Sequence, residues 1–175
     1  MAVKQNDNAT LRTVRVEDAM EVLTIQRDVI GEGEYFINIP EEFDRTAEQQ
    51  REWIEKVLKN DRDTMIVAEV DGKVVGWIVF ISQERKRLSH TGSFGIMIEE
   101  QYRNRGIGRL LLQEMITWAE NNPLIEKVSL GVFSTNHRAI AIYKSMGFVE
   151  EGRKVKEFKF SENEYVDDVL MYKYI

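Results

Sequence analysis

The sequence predicts a single α/β domain built on a mixed central sheet, and three observations carry that expectation. Strand-like runs of period two alternate with amphipathic helical runs along the chain. Asp71-Gly72 stands between two apolar runs, a strong signal for a two-residue hairpin turn. A strand pattern at residues 90–99 is followed by a helix pattern and then by another strand pattern at 126–133, as in a parallel crossover. The resulting order is β, α, α, β, β, β, α, β, α, β, β, with about seven strands and about four helices. At 175 residues, with 43% hydrophobic content and no break in composition, the chain is long enough for one sizeable core.

Each element has its own signal. Residues 1–8 are polar and are expected to fray, leaving 9–175 as the domain. Residues 10–16 alternate, with Leu11, Val14 and Val16 apolar. A helix is expected over 17–30, because Glu17 and Asp18 put acids where the helix dipole favours them and Gly31 and Gly33 end the run. Thr46 with Gln49 three residues later forms a capping box for a second helix reaching about Lys59. Thr64–Val70 and Lys73–Ser82 flank the hairpin turn, and Gly76 in the second of them marks a packing or bulge position.

In the strand at 90–99, Phe94, Ile96 and Ile98 fall on one face and Met97 on the other. Ile107, Leu110, Leu111, Met115 and Trp118 then recur at helical spacing until Asn121, Asn122 and Pro123 stop the helix. Val128, Leu130 and Val132 share one face of the next strand. Ser134, Thr135 or Asn136 can cap a fourth helix, which carries Ile140, Ile142 and Tyr143 and stops at Gly147. Residues 148–160 and 165–175 form the last antiparallel pair, whose edge could serve a homodimer.

Composition excludes several function classes. With no cysteine there is no disulfide, no thiolate metal site and no acyl-cysteine intermediate, so direct transfer is favoured. His90 and His137 stand in no ligand-like spacing, which argues against a metal. A net charge of −6 with dispersed basic residues argues against nucleic acid as a partner. No apolar run is long enough to span a bilayer, and no cleavable leader is visible, so the expected location is cytoplasmic, without a membrane partner.

The chemistry is expected at residues 101–108, Gln-Tyr-Arg-Asn-Arg-Gly-Ile-Gly, between a strand and a long helix. A helix N-terminus gathers unpaired N–H groups and a partial positive charge. Gly106 and Gly108 open the backbone to an anion, and Arg103, Arg105 and Arg109 add charge, so a pyrophosphate is the candidate ligand. A Walker A loop would need Lys and then Ser or Thr where Arg109 and Leu110 stand. A dinucleotide fingerprint would need a glycine where Leu111 stands.

Arg-x-x-Gly-x-Gly at 103–108 resembles the acyl-CoA pyrophosphate loop of the GCN5-related N-acetyltransferase superfamily. A second motif agrees with it. Asn136-His-Arg-Ala-Ile-Ala-Ile-Tyr143-Lys-Ser-Met-Gly147-Phe148 resembles the family pattern Asn-x-x-Ala-Ile-x-Leu-Tyr-x-x-x-Gly-Phe, on the expected helix after the expected strand. The closing segments, Glu150 to Arg153 and Tyr165 to Met171, look like a bacterial subgroup similar to the ribosomal-protein and small-amine N-acetyltransferases.

The resemblance implies an acyl-CoA N-acyltransferase fold and transfer from acetyl-CoA to a primary amine through a ternary complex. The acceptor stays open among a protein N-terminus, a polyamine and another small amine. It further implies that Ile96, Met97 and Ile98 offer backbone groups to the pantetheine arm, with an amide near Met97 or Ile98 facing the thioester carbonyl. Arg103, Asn104, Arg105, Gly106, Ile107 and Gly108 would hold the pyrophosphate, mostly by backbone N–H. Asn136 either contacts the cofactor or only caps its helix. Tyr143 would protonate the departing thiolate, the alternative being an aromatic packed under the helix.

The base is where the pattern breaks. Protein-N-terminal relatives carry a Glu at the position of Gly131. Glu34, on the acceptor side, is the candidate replacement, with Glu99 and Glu100 behind it. The segment from Glu32 to Asp44 is rich in acids and carries Tyr35 and Phe36, which suits a cationic amine. Missing its usual base, the chain could instead be a non-catalytic acyl-CoA sensor or scaffold, and a nucleotide-binding domain is a third reading.

Overall fold

The computed structural model describes residues 8–175; the tail expected at 1–8 thus lies, apart from Asn8, outside the described residues. The elements are β1 (Thr10–Thr13), α1 (Ala19–Gly31), α2 (Ala47–Leu58), β2 (Thr64–Val70), β3 (Lys73–Ser82), β4 (Thr91–Ile98), α3 (Ile107–Glu120), β5 (Lys127–Phe133), α4 (His137–Ser145), β6 (Val149–Lys159) and β7 (Tyr165–Tyr174). The seven strands form one sheet in the order β1-β2-β3-β4-β5-β7-β6. Among these pairs β4 and β5 run parallel, as the intervening α3 requires, and the others are antiparallel. The edge expected from the late strands is β6.

Strand alternation feeds two cores, one on each face of the sheet. Ile66 and Ala68 of β2 and Val128, Leu130 and Val132 of β5 pack with Leu111, Leu112 and Met115 of α3. Met65 and Val67 of β2 turn the other way and meet Val22 and Ile25 of α1 and Ile54 of α2. Met97 joins this second core while Phe94, Ile96 and Ile98 lean on the first, as their spacing predicts. In β3, Ala68 pairs with Gly76 but Glu69 pairs with Val74, so Val75 is the extra residue of a bulge. Without it Val74 and Trp77, three residues apart, would face opposite sides; with it both enter the α1/α2 core.

Local chemistry fixes the junctions. Asp71 and Gly72 both have positive φ, 51° and 78°, as a primed hairpin turn needs. The Thr46 hydroxyl accepts from the Gln49 N–H and the Gln49 side chain accepts from the Thr46 N–H, completing the capping box. The first helix departs from its expected form: Val16–Asp18 is a 3-10 turn and β1 ends at Thr13. The cause is Arg12, whose guanidinium donates to both Asp18 oxygens at 2.8 and 2.9 Å, while the Arg15 N–H donates to the same carboxylate at 2.7 Å. Burial alone would raise the Asp18 pKa, but these donors outweigh it and hold the carboxyl below its usual value.

Candidate active site

The site begins where the sheet comes apart. β4 and β5 pair at Thr91↔Lys127, Gly92↔Val128 and Ser93↔Ser129 and no further. Beyond Ser93, β4 follows β3 as far as Ile98 opposite Gly76, while β5 follows β7 as far as Phe133 opposite Asp168. From Phe94 onward the facing edges of two parallel neighbours therefore lack a strand partner in each other. Such an edge offers backbone donors and acceptors to an extended ligand.

At the far end of β4 the chain makes a 3-10 turn, Glu100–Tyr102, and enters α3 through two left-handed residues, Asn104 (φ 65°) and Gly106 (φ 88°). Gly106 is the residue type that adopts this conformation without strain. The backbone N–H groups of Gly106, Ile107, Gly108 and Arg109 find no acceptor among the described residues. No acid stands in the first turn of α3. Gly108 also has a packing role: a Cβ there would come within 3.1 Å of Ile98 Cδ1, so its smallness suits the close approach of α3 to β4.

The arginines of the loop are already engaged. Arg103 donates from Nε to the Ile98 carbonyl at 2.9 Å and from both terminal nitrogens to Glu32 at 2.7 and 2.8 Å, while its own N–H donates to Glu100. It therefore clamps the loop to the end of α1. The Arg105 guanidinium lies 5.3 Å from the Tyr102 ring centre. Arg109 donates to the Ser145 hydroxyl of α4 at 2.7 Å.

Across the split stands α4. Asn136 caps it, its side-chain oxygen accepting from the Ala139 N–H at 3.2 Å, which leaves the amide NH2 group outside the cap. Tyr143 packs edge-on against Phe94 of β4, centroids 5.6 Å apart, and against Phe148 at 6.0 Å. Its hydroxyl has no hydrogen-bond partner among the described residues. Desolvation pushes the phenol up to about 12.

The acidic segment after α1 divides into paired and unpaired parts. Glu32 is tied to Arg103 and Phe36 turns onto the α1/α2 core, while Glu34, Tyr35, Glu41 and Asp44 stay exposed. Glu99 accepts from Lys73 and from Gln101, and Glu100 is exposed on its 3-10 turn. Sequence reasoning missed two groups. Arg45 lies against the Trp53 ring at 5.1 Å and donates to buried Gln50, lining a hollow of about 490 Å³ with Gln26, Phe43 and Gln49. Asp168 lies against Gly131: an ideal Cβ on that glycine would be 2.6 Å from Asp168 Oδ1.

A split parallel pair with an anion cradle at one end fits the comparisons with known proteins. The family model described as acetyltransferase (GNAT) family matches residues 31–148. The chain belongs to this family. It is 36% identical over 119 residues to the L-amino acid N-acetyltransferase of Escherichia coli, covering 68% of this chain and 73% of that one. It is 30% identical to an N-alpha-acetyltransferase of Sulfurisphaera tokodaii, covering 94% and 90% of the two chains. The crystal structure of a GNAT-family acetyltransferase from Streptococcus pneumoniae superposes with a TM-score of 0.89 at 30% identity, over 96% of this chain and 100% of that one.

The enzyme is thus an acetyl-CoA-dependent N-acetyltransferase acting on an amine. The residues present suit that substrate: the unpaired N–H groups and left-handed Gly106 form a nest of the kind that binds pyrophosphate. No helix among the described residues is long and apolar enough to cross a membrane.

Proposed function

We propose that this acetyltransferase acts on the α-amino group of a peptide or protein N-terminus, with Tyr143 as its acid. Backbone N–H groups of residues 104–108 receive the pyrophosphate, and Arg103 holds that loop in shape through Glu32. The free edge of β4 at Ile96, Met97 and Ile98 receives the pantetheine arm, and the Asn136 amide, whose oxygen is used by the cap, offers its NH2 group to the same ligand. Acetyl-CoA supplies a thioester carbonyl and a thiol leaving group. The observation that carries the transfer chemistry is the Tyr143 hydroxyl, unpartnered among the described residues at the helix that borders the split.

Burial keeps that phenol protonated throughout the ordinary assay range. It also makes the phenol a weaker acid than a free one. Tyr143 therefore donates a hydrogen bond to the sulfur and gives up its proton as the C–S bond opens, rather than ionising beforehand.

Exposed Glu34, Glu41 and Asp44 beside Tyr35 favour an acceptor that presents positive charge without a nearby carboxylate, as a peptide N-terminus or a polyamine does. In this reading Glu34 draws the cation to the wall. A second reading, a free L-amino acid, is supported by the name of the Escherichia coli relative. A panel of peptides, polyamines and amino acids, followed by thiol release from acetyl-CoA, separates them. Preference for free amino acids over peptides by kcat/KM would sink the N-terminus assignment.

A further inference from the structure

We propose that Asp168 is the general base of this acetyl transfer, its carboxylate lying across Gly131 from the neighbouring strand. This rests on the acetyl-transfer reading and adds the group that takes the proton. Cross-strand partners share a face, so Asp168, opposite Phe133, lies on the same side of the sheet as Gly131. That side is turned away from the α3 core, because Val132, between them on β5, points into it. It is therefore the face of α1, α2 and the acidic wall. Gly131 comes two residues after Ser129, where β5 loses β4 as its neighbour, so it stands at the inner edge of the split. A side chain at 131 would collide with the Asp168 carboxylate; its absence lets that carboxylate reach over β5.

Its neighbour shows what a structural acid looks like here. Asp167 accepts from the Lys156 N–H at 2.7 Å and from Arg153 at 3.4 Å, and its own N–H donates to the Ser134 hydroxyl. Asp168 has no comparable set. Its side chain is 13% exposed, and Lys154 Nζ stands at 4.0 Å, the limit of an ion pair, on a side chain 53% exposed. The charged groups acting on it are Lys154 and Glu157 of β6, with the Val132 backbone on β5. Desolvation and Glu157 outweigh Lys154 and Val132, and the carboxyl is raised above its ordinary value, as suits a proton acceptor.

The protons balance. The Asp168 carboxylate takes one proton from the acceptor ammonium and releases it to solvent. The freed lone pair forms the C–N bond, the C–S bond breaks with its electron pair on sulfur, and Tyr143 protonates that sulfur. The second proton shed by nitrogen restores the phenol.

The test compares wild type, Asp168→Asn, and the double variant Gly131→Glu with Asp168→Ala, which moves the acid onto β5. Calorimetry should show acetyl-CoA binding within twofold of wild type in all three. Asp168→Asn should lower kcat/KM about a hundredfold at pH 7 and lose the acid limb of the pH profile. Its rate should recover toward wild type as the pH approaches the pKa of the free amine. The double variant should regain at least tenfold over Asp168→Asn. Carbon-13 NMR of the aspartate side chains should place the Asp168 carboxyl above the ordinary aspartate value. A wild-type enzyme that acetylates amines while Asp168→Asn stays within threefold, or keeps its acid limb, overturns the assignment alone. A wild type that neither binds acetyl-CoA nor acetylates any amine overturns the acetyl-transfer reading and this assignment with it.

Discussion

Helices α3 and α4 flank the same split and pack toward the same core, yet they are finished to different degrees. In α3, Ile107, Leu111, Leu112, Met115, Ile116 and Ala119 are all buried. In α4 no residue is buried; Ala139, Ile140, Ile142 and Tyr143 rest on the core with part of their surface open. Propensity does not explain this, since both helices carry apolar residues at helical spacing. What differs is the strand beneath: α3 lies over β2, β3 and β4, where the sheet is continuous, and α4 borders the place where β4 and β5 separate. The protein thus finishes one helix by its own packing and leaves the other open along the split.

Truncating the two helices should break them unequally. Leu111→Ala, at a fully buried position, should cost about 4 kcal/mol in denaturant unfolding, and Ile140→Ala about 1 kcal/mol. Equal losses would remove the distinction. A similarly large loss is expected on the other face of the sheet, where Arg12→Ala would leave Asp18 without its bidentate partner, at about 3 kcal/mol. Its pH dependence has a fixed sign. The folded Asp18 carboxyl sits below 3.8, so its contribution is complete above that value and fades as the pH falls through the folded pKa. The Asp18→Asn variant should lack that acid transition when urea midpoints are followed below pH 4.

Acetyl-CoA at a hundred times its dissociation constant should add about 2.7 kcal/mol to stability. Hydrogen exchange should report that gain in α4 before α3, and uniform protection of both would argue against ligand completion. Tyr143→Phe should leave acetyl-CoA affinity unchanged and lower kcat about a hundredfold. Unchanged turnover would return Tyr143 to a packing role. The smallest effect is expected for Arg109→Ala, which removes the exposed hydrogen bond to Ser145 between the two helices. It should cost about 0.5 kcal/mol and speed exchange at the end of α4.

Much of the fold was legible because its signals are local. Asp71-Gly72 needs only its own dihedrals, Thr46 needs only Gln49, and the crossover through α3 needs only the chain order. The left-handed loop that enters α3 was legible for the same reason, as glycine and helix start are adjacent. Residues whose roles depend on distant partners were not. That Glu32, 71 residues away, holds the Arg103 guanidinium is written nowhere beside it. That Gly108 sits against Ile98 depends on how α3 packs on β4. Asp168 reads as one of two adjacent acids, and its approach to Gly131 depends on the β5–β7 register. The register shift in β6 between Lys154 and Phe158 brings the Lys156 N–H to Asp167, and nothing near Asp168 in sequence announces it.

The Glu32–Arg103 pair has a consequence for attempts to redirect the enzyme. Acceptor preference invites grafting: the segment between α1 and α2 would be exchanged for that of a relative with another substrate. In this chain such a graft begins at Glu32, the residue that steadies the loop proposed here to hold acetyl-CoA. A transplanted wall lacking an acid at its first position would leave the Arg103 guanidinium, still anchored to the Ile98 carbonyl, without its counter-charge. The graft would then alter acetyl-CoA affinity as well as acceptor choice. A clean exchange of specificity has to carry positions 32 and 103 together.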